Sequence, residues 1–196
     1  MPTEDYSEAL RVFILNASLR KESLNARLAD LAERLVTDSG ALVDRAPLRD
    51  FPLPLYDGDV EAVDGIPKSA LDLSGRIVDA QALVIVTPEY NASIPGVLKN
   101  AIDWASRVRP QPFKDTPALL LSASPSPMGG HRCLLALHAP LERLGALVYP
   151  ETFSLAAAHQ AFTPDGDLTD RHLQKRLTET LRAFLASSIP THREHF

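Results

Sequence analysis

The first candidate site in the sequence is a run of small polar residues that follows a short apolar stretch. Ser18 and Ser23 offer hydroxyl groups, Asn25 offers an amide and Arg20 supplies a fixed positive charge, all at a predicted helix start. Such donors, with the positive end of a helix dipole, suit a phosphate dianion. A plainer interpretation is also open, in which Ser23 only caps the helix and Arg20 is a solvated surface charge.

The second candidate site is the segment from Pro88 to Gly96, in which two prolines and a glycine favour an extended backbone. Backbone groups of such a segment can hydrogen-bond the polar edge of a planar ring, and Tyr90 supplies an aromatic surface. Glu89 invites an interpretation as an acid catalyst, but no second acid or histidine lies nearby in sequence to form a pair. We therefore expect binding of a flat ligand rather than acid–base chemistry here.

Short apolar runs alternate with amphipathic segments along the chain. The runs predicted to be buried strands are 11–16, 41–43, 82–87, 118–122 and 146–149. Apolar residues at helical spacing predict helices that begin near Leu24, Pro67, Gly96, His131 and Leu173. This alternation predicts an α/β fold, a flavodoxin-like three-layer sandwich in which a five-stranded parallel sheet of order 2-1-3-4-5 carries helices on both faces.

In that strand order, the loops after strands one, three and four form one continuous rim. The third of these loops, Ser124 to Gly130, is rich in glycine and free of aromatic residues, so it either closes over a flat ligand or is simply a turn. Ligands of open α/β sheets bind beyond the carboxyl ends of the strands. We expect the site at this rim, and we expect the loops after strands two and five not to join it.

Several chemically suggestive residues have plainer interpretations. Cys133 lies in an apolar helical pattern and is expected to be a small buried hydrophobe rather than a nucleophile. Trp104 is expected to pack in the core rather than to contact a cofactor. The histidines show no metal-ligand spacing, so we predict no metal site.

The composition is that of an ordinary globular protein, and it limits the partners. The 196 residues carry a net charge of -5 and one cysteine, with no apolar run at the start and none long enough to span a bilayer. We therefore expect a cytoplasmic protein with neither a nucleic-acid nor a membrane partner. We also expect a single domain over residues 1–196, with flexible ends at 1–9 and 188–196.

A long segment, Ala46–Pro67, interrupts the otherwise short connections. It holds Phe51, Leu53, Leu55 and Tyr56 among prolines, which is too apolar a set to be left in solvent. This predicts a homodimer or a dimer-based tetramer. The alternative is that the segment folds back on its own domain.

Two motifs make a family resemblance specific. Residues 18–25, Ser-Leu-Arg-Lys-x-Ser-x-Asn, and residues 87–104, which run from Thr-Pro-Glu-Tyr-Asn to Asn-Ala-Ile-Asp-Trp, resemble the NAD(P)H-dependent FMN reductases. That family includes quinone, azo-dye and chromate reductases. Alanines at 17 and 92 stand where the family usually and often, respectively, has glycine.

The resemblance implies a cofactor site and an activity. The phosphate of FMN would be held by the first loop, and the flavin ring would lie against the other two. The implied FMN-binding residues are Ser18, Arg20, Ser23, Leu24, Asn25, Pro88, Glu89, Tyr90, Asn91 and Ser124. NADPH or NADH would be the co-substrate, with dimers associating near the flavin.

The leading hypothesis is thus an enzyme that passes a hydride from NAD(P)H through FMN to a small acceptor: a quinone, an azo compound, a metal oxyanion or a free flavin. Because FMN carries that chemistry, no catalytic side chain is needed. The alternative is a flavodoxin-type FMN electron carrier without nicotinamide turnover. A receiver-type signalling module would want acids where Asn16 and Thr87 stand.

Overall fold

The computed structural model describes residues 9–188, which are built around one parallel sheet. The strands are β1 (Arg11–Asn16), β2 (Leu42–Pro47), β3 (Ala82–Val86), β4 (Pro117–Ala123), β5 (Leu147–Val148) and β6 (Phe153–Leu155). Their order is β2-β1-β3-β4-β5, with β6 also paired to β4, and every pairing is parallel. The predicted order is confirmed. The chain ends predicted to be flexible lie outside the described residues, apart from 9 and 188.

Six α-helices lie between and after the strands within residues 9–188. They are α1 (Leu24–Asp38), α2 (Gly58–Asp64), α3 (Lys68–Asp79), α4 (Gly96–Ala105), α5 (His131–Arg143) and α6 (Arg171–Ser188). Prolines at 67 and 95 precede α3 and α4, where the fixed proline φ and the missing N–H are tolerated. Five of these helices begin within two residues of the positions that apolar spacing predicted, and α2 was not predicted.

The two faces of the sheet carry separate apolar cores because side chains alternate along each strand. Ile14 and Val84 point toward α1 and α6, whereas Phe13 and Leu83 point toward α3, α4 and α5. All four side chains are fully or almost fully buried. The three-layer arrangement predicted from the sequence is confirmed.

The fifth strand is split. The sequence predicted one strand over 146–149, but the structure has β5 and β6 in tandem beside β4, with Pro150 between them. Proline has no N–H to donate to the ladder, so the pairing breaks there and resumes at Phe153.

The second strand was predicted too short. It continues to Pro47, because Asp44 and Arg45 lie on an exposed edge strand where polar side chains face solvent. Arg45 forms ion pairs of 2.6 Å with Asp30 and with Glu33 of α1. The segment predicted to be a loop from Ala46 therefore starts inside β2, and it also contains a 3₁₀ turn (Leu48–Asp50) and α2.

Candidate FMN site

The candidate site lies at the carboxyl ends of β1, β3 and β4, as predicted. The loops after these strands enclose a cleft of about 100 Å³. Nine of the ten predicted FMN-binding residues line this cleft, and Asn91 is the exception. The cleft is lined by Ser18, Arg20, Ser23, Leu24, Asn25, Pro88, Glu89, Tyr90, Ala123, Ser124 and Pro125.

The first loop is organised around the start of α1. Ser23 is the N-cap, and its Oγ accepts hydrogen bonds from the backbone N–H groups of Asn25 at 3.1 Å and Ala26 at 3.4 Å. Ser18 is buried, and its Oγ accepts from the N–H of Arg20 at 3.4 Å. Both hydroxyl hydrogens thus remain able to donate to a ligand.

The electrostatics of this loop fit a phosphate. The first turn of α1 holds no acidic residue. Within residues 9–188, no protein group partners the Arg20 guanidinium, and the N–H groups of Lys21 to Leu24 find no protein acceptor. Unused N–H donors at the positive end of a 15-residue helix, beside a free guanidinium, are the donor set that a phosphate dianion requires.

Asn25 has a second task that sequence reasoning missed. Its Nδ2 donates to the carbonyl of Ala123 and its Oδ1 accepts from the N–H of the same residue, both at 2.9 Å. These two bonds tie the start of α1 to the end of β4. One Nδ2 hydrogen remains for a ligand, so Asn25 chiefly positions the first loop against the third.

Ala17, where the family usually has glycine, causes no strain. Its side chain is fully buried, its N–H donates to the carbonyl of Val86 at 2.8 Å, and its φ is not positive. The backbone conformation at this position does not require glycine.

The second loop contains a tight turn that follows Glu89. Tyr90 and Ser93 exchange two backbone hydrogen bonds of 2.9 and 3.0 Å, and the residues between them, Asn91 and Ala92, have φ values of 51° and 62°. Positive φ at both central positions is the geometry of a type I′ turn. Asn91 is exposed in this turn and does not line the cleft, whereas Pro88 is buried and does.

The Glu89 carboxylate is an anchor rather than a free acid. Its Oε2 accepts hydrogen bonds from the N–H groups of Arg132 and Cys133 at 3.1 and 3.4 Å, and its Oε1 accepts from the Arg132 side chain at 3.0 Å. The side chain is 8% exposed. The carboxylate therefore lies at the positive end of the α5 dipole and beside a guanidinium, and it ties the second loop to α5.

The third loop is hydrogen-bonded to the end of β6 and to the segment that follows it. The N–H of Ser124 donates to the carbonyl of Leu155, and the N–H of Ala158 donates to the carbonyl of Ser124. Gly129 has a φ of 61°, and a Cβ there would lie 2.7 Å from the backbone nitrogen of Ala156. Only glycine permits this approach.

The prediction that the loops after strands two and five stay away from the rim was wrong. The segment after β6 packs against the third loop, and Arg49, just after β2, donates from Nη2 to the carbonyl of Leu19 at 2.7 Å. β2 is longer than predicted and β6 extends the split fifth strand, so both connections start nearer the rim than expected.

Cys133 and Trp104 are structural, as predicted. Burial raises the pKa of the Cys133 thiol from 9.0 to about 11, and its Sγ lies 2.9 Å from the carbonyl oxygen of Gly130. Trp104 is fully buried, and its indole N–H donates to the carbonyl of Pro54 at 2.8 Å. Residues 9–188 bring together no three His, Cys, Asp or Glu side chains able to hold a metal ion. Nor do they form a helix that is long and apolar enough to cross a membrane.

The fold and the rim define a flavodoxin-like nucleotide-binding protein, and comparison with known proteins makes the class specific. Residues 10–160 match the NADPH-dependent FMN reductase family, and the chain belongs to that family. It is an oxidoreductase of the type that uses FMN and NAD(P)H.

Individual relatives cover almost the whole chain. A quinone reductase of Escherichia coli (strain K12) is 38% identical over 180 residues, which span 91% of this chain and 95% of the relative. An NAD(P)H-dependent FMN reductase of Pseudomonas aeruginosa is 37% identical, over 90% of this chain and 94% of its own. The solved structure of FerB, a flavoenzyme NAD(P)H:(acceptor) oxidoreductase from Paracoccus denitrificans, superposes with a TM-score of 0.77 at 32% identity, covering 92% of this chain and 97% of that one.

The flavodoxin-type carrier is the weaker interpretation after these comparisons. Flavodoxin 1 from Bacillus cereus superposes with a TM-score of 0.59 at 12% identity, over 90% of this chain and 97% of that one. This likeness shows the shared fold, whereas the family match extends to the reductase motifs.

Proposed function

We propose that this protein reduces quinones with electrons from NAD(P)H, through FMN seated where the loops after β1, β3 and β4 meet. The convergence of these three loops on one cleft at the carboxyl ends of neighbouring strands carries the proposal. Open α/β sheets bind their ligands at this edge. Among the acceptors that the family resemblance implies, a quinone is supported by the name of the E. coli relative.

The phosphate of FMN is assigned to the first loop. The free N–H groups up to Leu24 and the hydroxyls of Ser18 and Ser23 would donate to its oxygens. Arg20 would neutralise its charge with a guanidinium that is otherwise unpartnered within residues 9–188. Asn25 would keep the loop in place through Ala123.

The ring is assigned to the second and third loops. Pro88, Glu89 and Tyr90 would contact it mainly through backbone groups, with Ser124 at the opposite edge. Asn91 would act through the turn it forms rather than by contact. Bound FMN would supply the redox chemistry between NAD(P)H and the acceptor. The chain's own residues would bind and orient the cofactor. Glu89 is not needed as a proton donor, and its carboxylate is already hydrogen-bonded to Arg132.

A dimer is the second part of the proposal. Phe51 folds back into the core, as the alternative interpretation held, but Leu55 and Val63 are each 84% exposed. Helix α2 contributes no buried residue within the described chain, although it carries Val60 and Val63. An apolar surface of this kind is typical of an association site. We assign it to a second copy, in a homodimer or dimer-based tetramer.

The single-domain organisation over 1–196 and the cytoplasmic location are also proposed. Both apolar cores share one sheet, which supports a single folding unit. The sequence holds a single cysteine, Cys133, and therefore no intrachain disulfide, which is compatible with a reducing compartment.

Anaerobic mixing tests the proposed function. We expect NADPH or NADH to abolish the visible absorption of the bound flavin, and a subsequent addition of naphthoquinone to restore it. Steady-state turnover should show ping-pong kinetics, because the donor must reduce the flavin before the flavin can reduce the acceptor. A flavin that neither nucleotide bleaches, or that naphthoquinone does not reoxidise once bleached, would contradict the proposal.

A further inference from the structure

A second cleft lies beside the proposed phosphate site, and the proposed function does not use it. It has a volume of about 400 Å³, and Leu19, Lys21, Leu48, Arg49, Phe51 and Leu53 are among the residues that line it. This volume is within the range of sites that take a small organic molecule. The cleft is formed by the loops after β1 and β2 together with α4.

The two clefts share a wall. Along the first loop, Ser18 and Arg20 line the proposed FMN site, whereas Leu19 and Lys21 line the second cleft. Consecutive side chains therefore alternate between the two. A molecule in the second cleft is separated from the FMN site by the thickness of one backbone segment.

The base of the second cleft is apolar and fixed. Leu48 and Phe51 are 4% and 5% exposed and belong to the core beneath the sheet. Leu19, at 47% exposure, stands at the opening. Buried apolar walls of this kind accept the face of an aromatic or quinonoid ring.

Two cationic side chains, Lys21 and Arg49, line this cleft and form no ion pair within residues 9–188. The Arg49 guanidinium is fixed by its 2.7 Å bond to the carbonyl of Leu19, a neutral partner that leaves the charge uncompensated. Lys21 forms no ion pair with any residue in the described part of the chain. Among residues 9–188, none of those that line the cleft is acidic. Uncompensated positive charge beside a partly apolar slot attracts an anionic ligand.

We propose that the second cleft is an acceptor subsite that selects planar acceptors bearing an anionic group, such as a sulfonate or carboxylate. The ring would rest on Leu48 and Phe51, and the anion would face Lys21 and Arg49. This inference rests on the proposed function, because it assumes that the acceptor is a quinone. The phosphates of NADPH are also anionic and could bind the same cations, so the test must distinguish an anionic acceptor from NADPH.

The test compares naphthoquinone with naphthoquinone sulfonate in Lys21→Ala and Arg49→Ala. Each variant should raise the KM for the sulfonate at least about fivefold more than the KM for the neutral quinone, because one attractive charge is lost. Lys114→Ala removes an equal charge before the amino end of β4 and serves as the matched control; both KM values should stay as in the wild type.

Calorimetric titration of the holoenzyme with naphthalene sulfonate, which is not reducible, gives a readout independent of turnover. Its binding should weaken in Lys21→Ala and Arg49→Ala and remain unchanged in Lys114→Ala. Equal KM changes for both quinones, or an increase confined to the KM for NADPH, would overturn the inference. A wild-type enzyme that reduces neither quinone would instead defeat the proposed function.

Discussion

The carboxylate of Glu89, in the loop after β3, lies 2.9 Å from Nη2 of Arg132 in the first turn of α5. The two side chains differ in environment, because Glu89 is 8% exposed and Arg132 is 53% exposed. The same carboxylate also accepts the N–H groups of Arg132 and Cys133. The second loop and helix α5 are thereby held together by one buried charge.

Because the buried partner carries most of these bonds, the two single variants should differ. We expect Glu89→Ala to lower the free energy of unfolding by about 2 kcal/mol, since it leaves helix N–H groups unpaired. Arg132→Ala should cost less than about 1 kcal/mol, because the lost guanidinium is half exposed. Urea unfolding measures both. Equal losses in the two variants would contradict the assignment of Glu89 as the anchor.

Ala92 is predicted to be a strained residue. Its φ of 62° lies in the left-handed region, which costs a residue with a Cβ about 1–2 kcal/mol. Ala92→Gly should therefore raise the free energy of unfolding by about 1 kcal/mol. The control, Ala183→Gly on the exposed side of α6, should lower it by about 1 kcal/mol. A decrease in both variants would show that the turn does not hold Ala92 in this conformation.

The buried thiol predicts a loss of stability at high pH. The pKa of Cys133 is raised from 9.0 to about 11 in the folded state, so above pH 9.0 only the unfolded chain releases the proton. The free energy of unfolding should fall by at most roughly 1.4 kcal/mol per pH unit in this interval. Unfolding at about pH 8 and about pH 10 measures the slope. Cys133→Ala should lose this part of the pH dependence. If the slope in Cys133→Ala equals that of the wild type, the thiol is not its cause.

The proposed dimer makes Leu55 critical. Light scattering should give the wild type at least twice the 21.4 kDa chain mass. Leu55→Asp should favour the monomer, because it puts a charge into the apolar contact. Val78→Asp changes another exposed apolar residue, on α3, and should leave the assembly intact. A monomeric wild type would rule out the dimer.

Much of the fold was predictable because the apolar runs of the central strands are continuous. Strand β2 was less predictable, because it contains the charged residue Arg45. This side chain forms ion pairs with Asp30 and Glu33, which are distant in sequence. Helix α2 was missed because it buries no side chain and so has no apolar periodicity to reveal it.

The sequence predicted which loops form the candidate site, but not the hydrogen bonds that join those loops to each other. The motifs placed the loops at one edge, whereas the bonds of Asn25 to Ala123 span 98 residues and leave no local signal. The anchoring of Glu89 by Arg132, 43 residues away, is likewise a tertiary contact. Sequence spacing reports on elements, and contacts between their ends depend on how the sheet assembles.

The assignment of FMN to the three-loop cleft is tested most directly by the FMN dissociation constant of Arg20→Ala. A hydrogen bond to a charged group is worth about 1.5–3 kcal/mol, so binding should weaken about tenfold to a hundredfold. Arg143→Ala, at the far end of α5, is the matched control and should bind FMN as the wild type does. Flavin fluorescence measures all three proteins, and circular dichroism confirms that each is folded. The account predicts the loss in Arg20→Ala alone, and an unchanged constant in that variant would contradict it.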